Sequence, residues 1–346
     1  MYKVAFIGCG KPWRSDGATG FGMSHAHAEG YKQSPDCKIV ALADIVEENA
    51  RAFMERHGGE RIYTDYHEML ATEKPDIVSI STWPHLHAPM VIDTANAGVK
   101  AIHCEKPMSP TFGEARRMVE AAEKNGVQLT FNHQRRFGLP FRKSKELLKS
   151  GAIGDLQKME AICDNMIDWG THWYDMLNFF NDETPVEWLI GQIEGRGSKK
   201  VFGMWVEGQG ISWFQYKNGV NGSLTTGFGS GGGAKIRLIG SEGMIEVGGF
   251  PAQVNLFNKA SNGWQAVEHG ENDGDLQWVS RGVLDLVDAL KNGREPELSA
   301  RRALAATQLI FATYESSRRR GRVDFPLTID DSPFLSMIDD GTMVTE

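Results

Sequence analysis

The stretch that most limits how this chain can fold is its beginning. Tyr2 to Ile7 is a short apolar run that ends in Gly8-Cys9-Gly10. A run of that kind reads as a buried strand, and a strand that empties into Gly-x-Gly is half of the fingerprint of a dinucleotide site. The third glycine belongs three residues later, where Trp13 stands. Residues 11–21 are instead polar and turn-rich, and Gly22 precedes the next helical pattern. The acid that accepts the ribose hydroxyls normally lies about 20 residues beyond the glycines. Asp44, at the end of the next strand-like run, is 34 residues past Gly10 but 22 past Gly22. The spacing makes residues 11–21 an insertion in a glycine loop, with Gly22 opening the helix. The competing reading is that Gly8 and Gly10 only turn a strand into a loop. A carboxylate at Asp44 repels a 2′-phosphate, and Ile45 rather than arginine follows it, so NAD is expected over NADP.

Further along, strand-like runs at 76–81, 99–104 and 127–131 alternate with helical patterns at 47–57, 65–72, 90–97 and 111–124. That alternation specifies a doubly wound parallel sheet, whose ligands gather at the carboxyl ends of the strands. Gly8, Asp44, Thr82 and Lys106 all stand at such ends. The run into Lys106 is stopped by Pro107, which fixes φ and removes a donor. A lysine there, beside Glu105, is either a solvated strand-end charge or a placed ammonium. Beyond the middle of the chain the texture changes. Strand-like runs at 156–163, 186–193, 201–206, 210–216, 222–226, 235–240 and 244–247 follow one another with glycine turns, and helices are expected at 172–180, 284–291 and 300–319. This describes an open, mostly antiparallel sheet with one face to cover. The glycine cluster Gly229 to Gly233 follows a strand without opening a helix and reads as a flexible connection. The expected fold is therefore α/β, with an N-terminal parallel doubly wound domain over 1–134 and a C-terminal α+β domain over 135–346.

Composition narrows the function. At 346 residues the chain is longer than one core usually grows. Its net charge of −8 disfavours nucleic acid or an anionic membrane as a bulk partner. Cys9, Cys37, Cys104 and Cys163 are scattered, with no CxxC, so they read as isolated thiols of a reducing compartment. No stretch reaches the ~18 apolar residues of a membrane helix, so a cytoplasmic protein is expected. No HExxH, GxSxG or P-loop is present, and His25/His27 and His85/His87 are two apart, off a shared helical face; no metal is expected.

The most loaded segment of the second half is Ile167-Asp168-Trp169-Gly170-Thr171-His172-Trp173-Tyr174-Asp175. On a helical turn Asp168 and His172 share a face, so the carboxylate can orient the imidazole and raise its basicity. The alternative is an N-capping aspartate and a helix-surface histidine.

Together these pieces resemble the glucose–fructose oxidoreductase / inositol dehydrogenase / MocA-like (Gfo/Idh/MocA) family. The matching segments are Gly8-Cys-Gly10, Gly22-Met-Ser-His25, Asp44, Thr82-Trp-Pro84-His85-Leu-His87, Glu105-Lys106-Pro107, Arg136-Phe137 and Asp168-x-Gly170-x-His172-x-x-Asp175, with Leu238-Ile-Gly-Ser-Glu-Gly243 and Glu315-Ser316-Ser317 later. The resemblance implies a Rossmann domain, a C-terminal sheet domain and a Lys/Asp/His catalytic group, here Lys106, Asp168 and His172. It implies NAD held by Gly8, Gly10, Gly22, Asp44, Ser81, Thr82, His87, Glu105 and Lys106, and substrate held by Lys106, Asp168, His172, Trp169 and His133. The expected reaction moves hydride between the nicotinamide and a secondary hydroxyl of a sugar, inositol or related compound. Redox-assisted glycoside cleavage is the alternative, and a non-catalytic sugar sensor a third. A homodimer or homotetramer through the open sheet is expected. The insertion at 11–21, and Trp83 and His85 in place of the more usual Thr-x-Pro-Asn pattern, depart from the family.

Overall fold

The computed structural model describes residues 1–227, 235–261, 263–271 and 275–345. The expected flexible connection at Gly229 to Gly233 lies outside them. The chain divides into two compact units. One comprises Met1–Pro110, Glu114–Gln134 and Asp275–Leu304; the other comprises Thr111–Gly113, Arg135–Gly274 and Ala305–Glu346.

The first unit is a six-stranded parallel sheet. Its strands are β1 (Tyr2–Ile7), β2 (Cys37–Ala43), β3 (Arg61–Tyr63), β4 (Ile77–Ile80), β5 (Ala101–Cys104) and β6 (Gln128–Phe131), in the spatial order β3-β2-β1-β4-β5-β6. Helices α1 (Met23–Lys32), α2 (Glu47–His57), α3 (Tyr66–Glu73), α4 (Pro84–Asn96) and α5 (Phe112–Asn125) connect them. Because side chains alternate along a strand, each face buries its own core. Val4, Phe6, Leu42 and Ile77 pack with Tyr31, Phe53, Val283 and Leu286 on one face. Ala5, Ile7, Val78, Ile80 and Ile102 pack with Val91, Met118 and Leu129 on the other. The later helix Asp275–Asn292 lies tightly on α1. A Cβ on Gly30 would stand 2.8 Å from Val283 Cβ, so the helices approach where glycine leaves room. The strand order reverses at β1/β4, the point at which such sheets open a ligand crevice.

The second unit starts with α6 (Leu139–Lys149), β7 (Leu156–Cys163) and α7 (Gly170–Phe180). The strands β8 (Val186–Glu194), β9 (Lys199–Val201), β10 (Met204–Val206), β11 (Gln209–Tyr216), β12 (Asn221–Thr226), β13 (Lys235–Gly240), β14 (Gly243–Gly248), β15 (Gln253–Asn258), β16 (Gln265–Ala266) and β17 (Val323–Asp324) follow. Among the described residues, nine strands form one sheet in the order β16-β15-β14-β13-β7-β12-β11-β8-β17; β9 and β10 pair separately. The large sheet is antiparallel except at β7/β12. Its inner face buries Met159, Ala161, Leu189, Phe214, Leu224, Ile236, Leu238 and Ile245. A Cβ on Gly222 would come within 2.3 Å of the Phe214 ring, so that position holds a large aromatic against bare backbone. The opposite face leaves Ile162, Ile190, Ile211 and Trp213 about half exposed. Ile190 pairs across the ladder with Trp213, and Ile211 with Thr225, which pairs with Ile162. Charges share this face: Arg237 bonds Glu246 at 2.9 Å through Nε and lies 3.6 Å from Glu160.

Helix α7 is anchored by buried charge. Arg136 Nε and Nη2 donate to the two carboxylate oxygens of Asp175, each at 2.8 Å, and Nη1 donates to Glu183 at 2.5 Å. Arg136 and Asp175 are both essentially inaccessible to water. The fork suits a planar guanidinium on a carboxylate. Lys145 Nζ donates to the carbonyls of Phe179 and Phe180 at 2.6 and 2.9 Å, placing a cation on the C-terminal end of α7. Asp175→Asn keeps the shape but leaves the guanidinium short of its main counter-charge. Removing one partner of a buried pair costs about 3–5 kcal/mol. The substitution is expected to lower the denaturant midpoint accordingly in equilibrium unfolding; an unchanged midpoint would show that Glu183 alone suffices.

Candidate active site

At the carboxyl ends of the first unit's strands, β1 runs into the glycine loop. Gly8 has φ +83°, and a Cβ there would fall 2.7 Å from Thr82 Cγ2 and 2.8 Å from the Ser81 carbonyl. Glycine is thus required twice over, by the left-handed backbone and by the close approach of the β4 end. Gly10 has φ +56° with open space beside its Cα. Gly22, at φ +60°, is the N-cap of α1 and makes no side-chain cap bond. A Cβ on it would meet the Lys11 carbonyl at 2.5 Å. The insertion therefore leaves the loop at Lys11 and returns beside it at Gly22, which explains how 11 extra residues keep a working helix start. A helix N-terminus without a side-chain cap is suited to a phosphate.

Asp44, one residue beyond β2, reaches back to this loop. Its Oδ2 accepts the N–H groups of Cys9 and Gly10 at 2.9 and 3.0 Å, and its Oδ1 accepts Val46 N–H at 2.9 Å. Oδ1 keeps a lone pair for a hydroxyl. Ile45 beside it is 89% exposed, so an apolar side chain occupies the place where a 2′-phosphate would want a cation. The donor set, the glycine cradle and the uncapped helix fit a dinucleotide with a free ribose diol.

At the ends of β4 and β5 the expected residues divide into two kinds. Ser81 and Thr82 are half-buried at the strand end. His87 is fully buried, with Nδ1 2.9 Å from the Pro107 carbonyl and Nε2 3.2 Å from the Thr82 carbonyl. The ring lies between the two loops that carry Thr82 and Lys106, and in its neutral form donates its one N–H to one of these carbonyls. Burial lowers its pKa, favouring the neutral ring. Glu105 is buried too. Its Oε1 accepts from His27 Nε2 at 2.9 Å and Asn132 Nδ2 at 2.6 Å, and its Oε2 accepts the Lys106 backbone N–H at 3.2 Å. Burial works to raise its pKa, but the His27 hydrogen bond and charge, the Lys106 charge and the Asn132 donor prevail and bring it down to about 2. His133, after β6, is buried with its N–H on the Phe131 carbonyl at 2.7 Å.

In the second unit, α7 begins at Gly170, two residues before the expected start, and Asp168 lies in the turn that leads into it. Asn165 shapes that turn: its Oδ1 accepts Asp168 N–H at 2.8 Å and its carbonyl accepts Gly170 N–H at 2.7 Å. Asp168 and His172 are both buried. Beneath the turn, the buried carboxyl of Glu207 accepts from Met166 N–H at 2.7 Å, Thr226 Oγ1 at 2.8 Å and Tyr314 OH at 2.8 Å. Burial raises its pKa, partly offset by those donors. Tyr174 OH, next along α7, bonds Ser212 at 2.7 Å and Thr313 at 3.1 Å. Trp169 is half-buried, with the Arg135 guanidinium 5.5 Å from its ring centre. Phe250, 64% exposed at the β14–β15 turn, meets Trp169 edge-on at 5.8 Å and 87°. The two rings form an apolar corner beside the Asp168 turn.

Sequence reasoning did not reach His27, Asn165, Glu207 or Phe250. His27 stands two residues from His25, off a shared helical face, and its partner lies 78 residues away. Glu207 sits between two strand-like runs and looks like a loop charge. Phe250, in Gly-Gly-Phe-Pro, carried one faint signal, a large aromatic in a turn.

Residues 2–133 match the model of an oxidoreductase family with an NAD-binding Rossmann fold, Gfo/Idh/MocA. A D-apiose dehydrogenase of Paraburkholderia graminis is 26% identical over 99% of this chain and 94% of its own. A myo-inositol 2-dehydrogenase of Thermotoga maritima is 34% identical, over 40% of this chain and 41% of its own. The structure of a levoglucosan dehydrogenase in complex with NADH shares the fold, with a TM-score of 0.80 at 19% identity, covering 94% of this chain and all of that one. With the glycine cradle, the strand-end acid and the parallel sheet, residues 2–133 match the NAD-binding Rossmann domain of the Gfo/Idh/MocA oxidoreductase family, and the whole chain is similar to dehydrogenases of sugars.

Proposed function

We propose that this protein is an NAD-dependent dehydrogenase that oxidises a secondary hydroxyl of a sugar or polyol. The observation that carries it is the first unit's cofactor cradle: the uncapped N-terminus of α1 behind Gly8 and Gly10, with Asp44 at the next strand end. The family relatives named for D-apiose and myo-inositol supply the substrate class.

Gly8, Gly10 and Gly22 would let backbone and helix N-terminus face the pyrophosphate, Asp44 would take the ribose diol, and Ser81 and Thr82 would border the crevice. Bound NAD supplies the hydride acceptor. The chain's own residues do the rest. His172 takes the hydroxyl proton, Asp168 orients it, and Lys106 offers a fixed positive charge to the developing alkoxide, where electrostatic stabilisation has most effect. The Trp169–Phe250 corner packs on the C–H face of the substrate. Exposed aromatic rings serve this purpose because a sugar ring is apolar on its faces and polar at its rim. A second copy of this chain covers the open face around Ile190, Ile211 and Trp213, where apolar side chains and both signs of charge are interspersed.

His172→Ala is expected to leave the NAD dissociation constant unchanged and to lower kcat about 10²–10⁴-fold, the usual worth of general-base help. Absorbance of reduced nicotinamide, measured across sugars, inositols and glycosides, checks it; unchanged turnover removes His172 from the mechanism. Phe250→Ala is expected to raise the sugar KM by about tenfold, the equivalent of ~1.4 kcal/mol, with the NAD KM unaffected. An equal rise in both would mean the ring supports the fold instead. Trp213→Glu is expected to convert the oligomer to monomer in sedimentation equilibrium; a wild-type monomer would end that assignment.

A further inference from the structure

A buried polar layer crosses the carboxyl ends of β4, β5 and β6 beneath α1. His27, fully buried on α1, places Nδ1 2.7 Å from Ser79 Oγ and Nε2 2.9 Å from Glu105 Oε1. An ionised carboxylate has no proton to give, so the hydrogen between His27 and Glu105 belongs to Nε2. Asn132 Nδ2 donates to the same oxygen. The imidazole of His103 lies against that of His27, ring centres 4.5 Å apart. Its Nδ1 is 2.8 Å from Thr130 Oγ1, and that hydroxyl donates to the Ile102 carbonyl, so His103 Nδ1 is the donor. Burial and the neighbouring His27 hold His103 well below the usual histidine range, and it stays neutral. Burial likewise keeps His87 neutral, and burial with the Glu105 charge keeps the Cys104 thiol protonated. Among these neighbours Glu105 is the anion, and positive charge at His27 and then at Lys106 favours its ionised form.

An anion with so little water around it stays ionised only while its donors stay in place. We propose that His27 is a positioning residue for the reaction: by donating Nε2–H to Glu105 it keeps that carboxylate charged and aimed, and Glu105 in turn holds the backbone and the ammonium of Lys106. The proposal rests on the dehydrogenase reading for its kinetic consequence, and on the geometry of the first unit alone for its electrostatic one. Losing the His27 donor leaves burial, the strongest influence on Glu105, less opposed. The carboxyl then takes up a proton on the acid side of neutrality, a change that loosened packing does not produce.

The test uses three variants of the full chain. His27→Leu removes the donor at similar volume. His27→Asn keeps an amide near the Nδ1 position, short of Glu105. His27→Gln restores an N–H near the Nε2 position. Difference infrared spectra between about pH 8 and pH 5 read the protonated-carboxyl stretch without turnover, and Glu105→Gln in the His27→Leu background assigns it. The expected result is a titrating carboxyl in His27→Leu and His27→Asn, and its loss in His27→Gln. In kinetics, the same two variants gain an acid limb in kcat, with about tenfold lower turnover at the acid end per unit of pKa rise, while the KM for NAD holds and His27→Gln stays near wild type. His27→Asn carries the test if His27→Leu does not fold. No titrating carboxyl, or a titrating carboxyl with a kcat profile parallel to wild type, overturns the proposal. A wild type inert with every sugar overturns the dehydrogenase reading instead and leaves the infrared result to decide the first link.

Discussion

A carboxylate shut away from water beside the lysine of Glu105-Lys106-Pro107 is the constraint on which much of the first unit depends. Glu105 lies at the end of β5, where the backbone leaves the sheet and must be redirected. An unpaired charge there would cost several kcal/mol. The structure answers with donors from three elements: His27 on α1, Asn132 beyond β6 and the backbone of Lys106 itself. Each partner is also a tie between elements. His27 pins α1 to β4 and to the end of β5, and the buried His87 ring packs between the loop after β4 and the loop after β5. The strand ends that face the cofactor crevice are thereby linked by hydrogen bonds whose loss would leave buried polar groups unmatched.

The second unit uses the same device twice. Arg136 and Asp175 lock α7 through a bidentate pair, and Glu207 gathers Met166, Thr226 and Tyr314 under the turn that carries Asp168. Apolar packing alone tolerates small slides of a helix. A charge with two or three fixed partners does not, because each displacement leaves a donor or acceptor unsatisfied. Catalytic and binding groups that must be held within a fraction of an ångström are supported this way, on rigid elements with hydrogen-bonded backing.

Much of this was legible in the residues. The glycine loop, its insertion and the nearness of Asp44 to that loop followed from spacing, since neighbouring parallel strands end side by side. The structure adds that Gly22 lies against Lys11, which closes the insertion on itself. The parallel order of the first unit and the open sheet of the second followed from the change of texture along the chain. The turn that carries Asp168 did not follow. Asn165 begins it by accepting the N–H groups of Asp168 and Gly170, so that α7 starts at Gly170, after the aspartate. His27 was invisible for another reason: in sequence it is an ordinary helix residue.

Local chemistry is written in the sequence. Which runs become strands, where glycine must bend the chain and which carboxylate reaches the glycine loop all depend on neighbours within a few dozen positions. The tertiary structure decided which polar groups lose their water, and so which must find one another: His27 with Glu105 across 78 residues, Arg136 with Asp175 across 39, Glu207 with Tyr314 across 107. Desolvation makes such pairings compulsory, and burial is a property of the folded whole that no single segment carries.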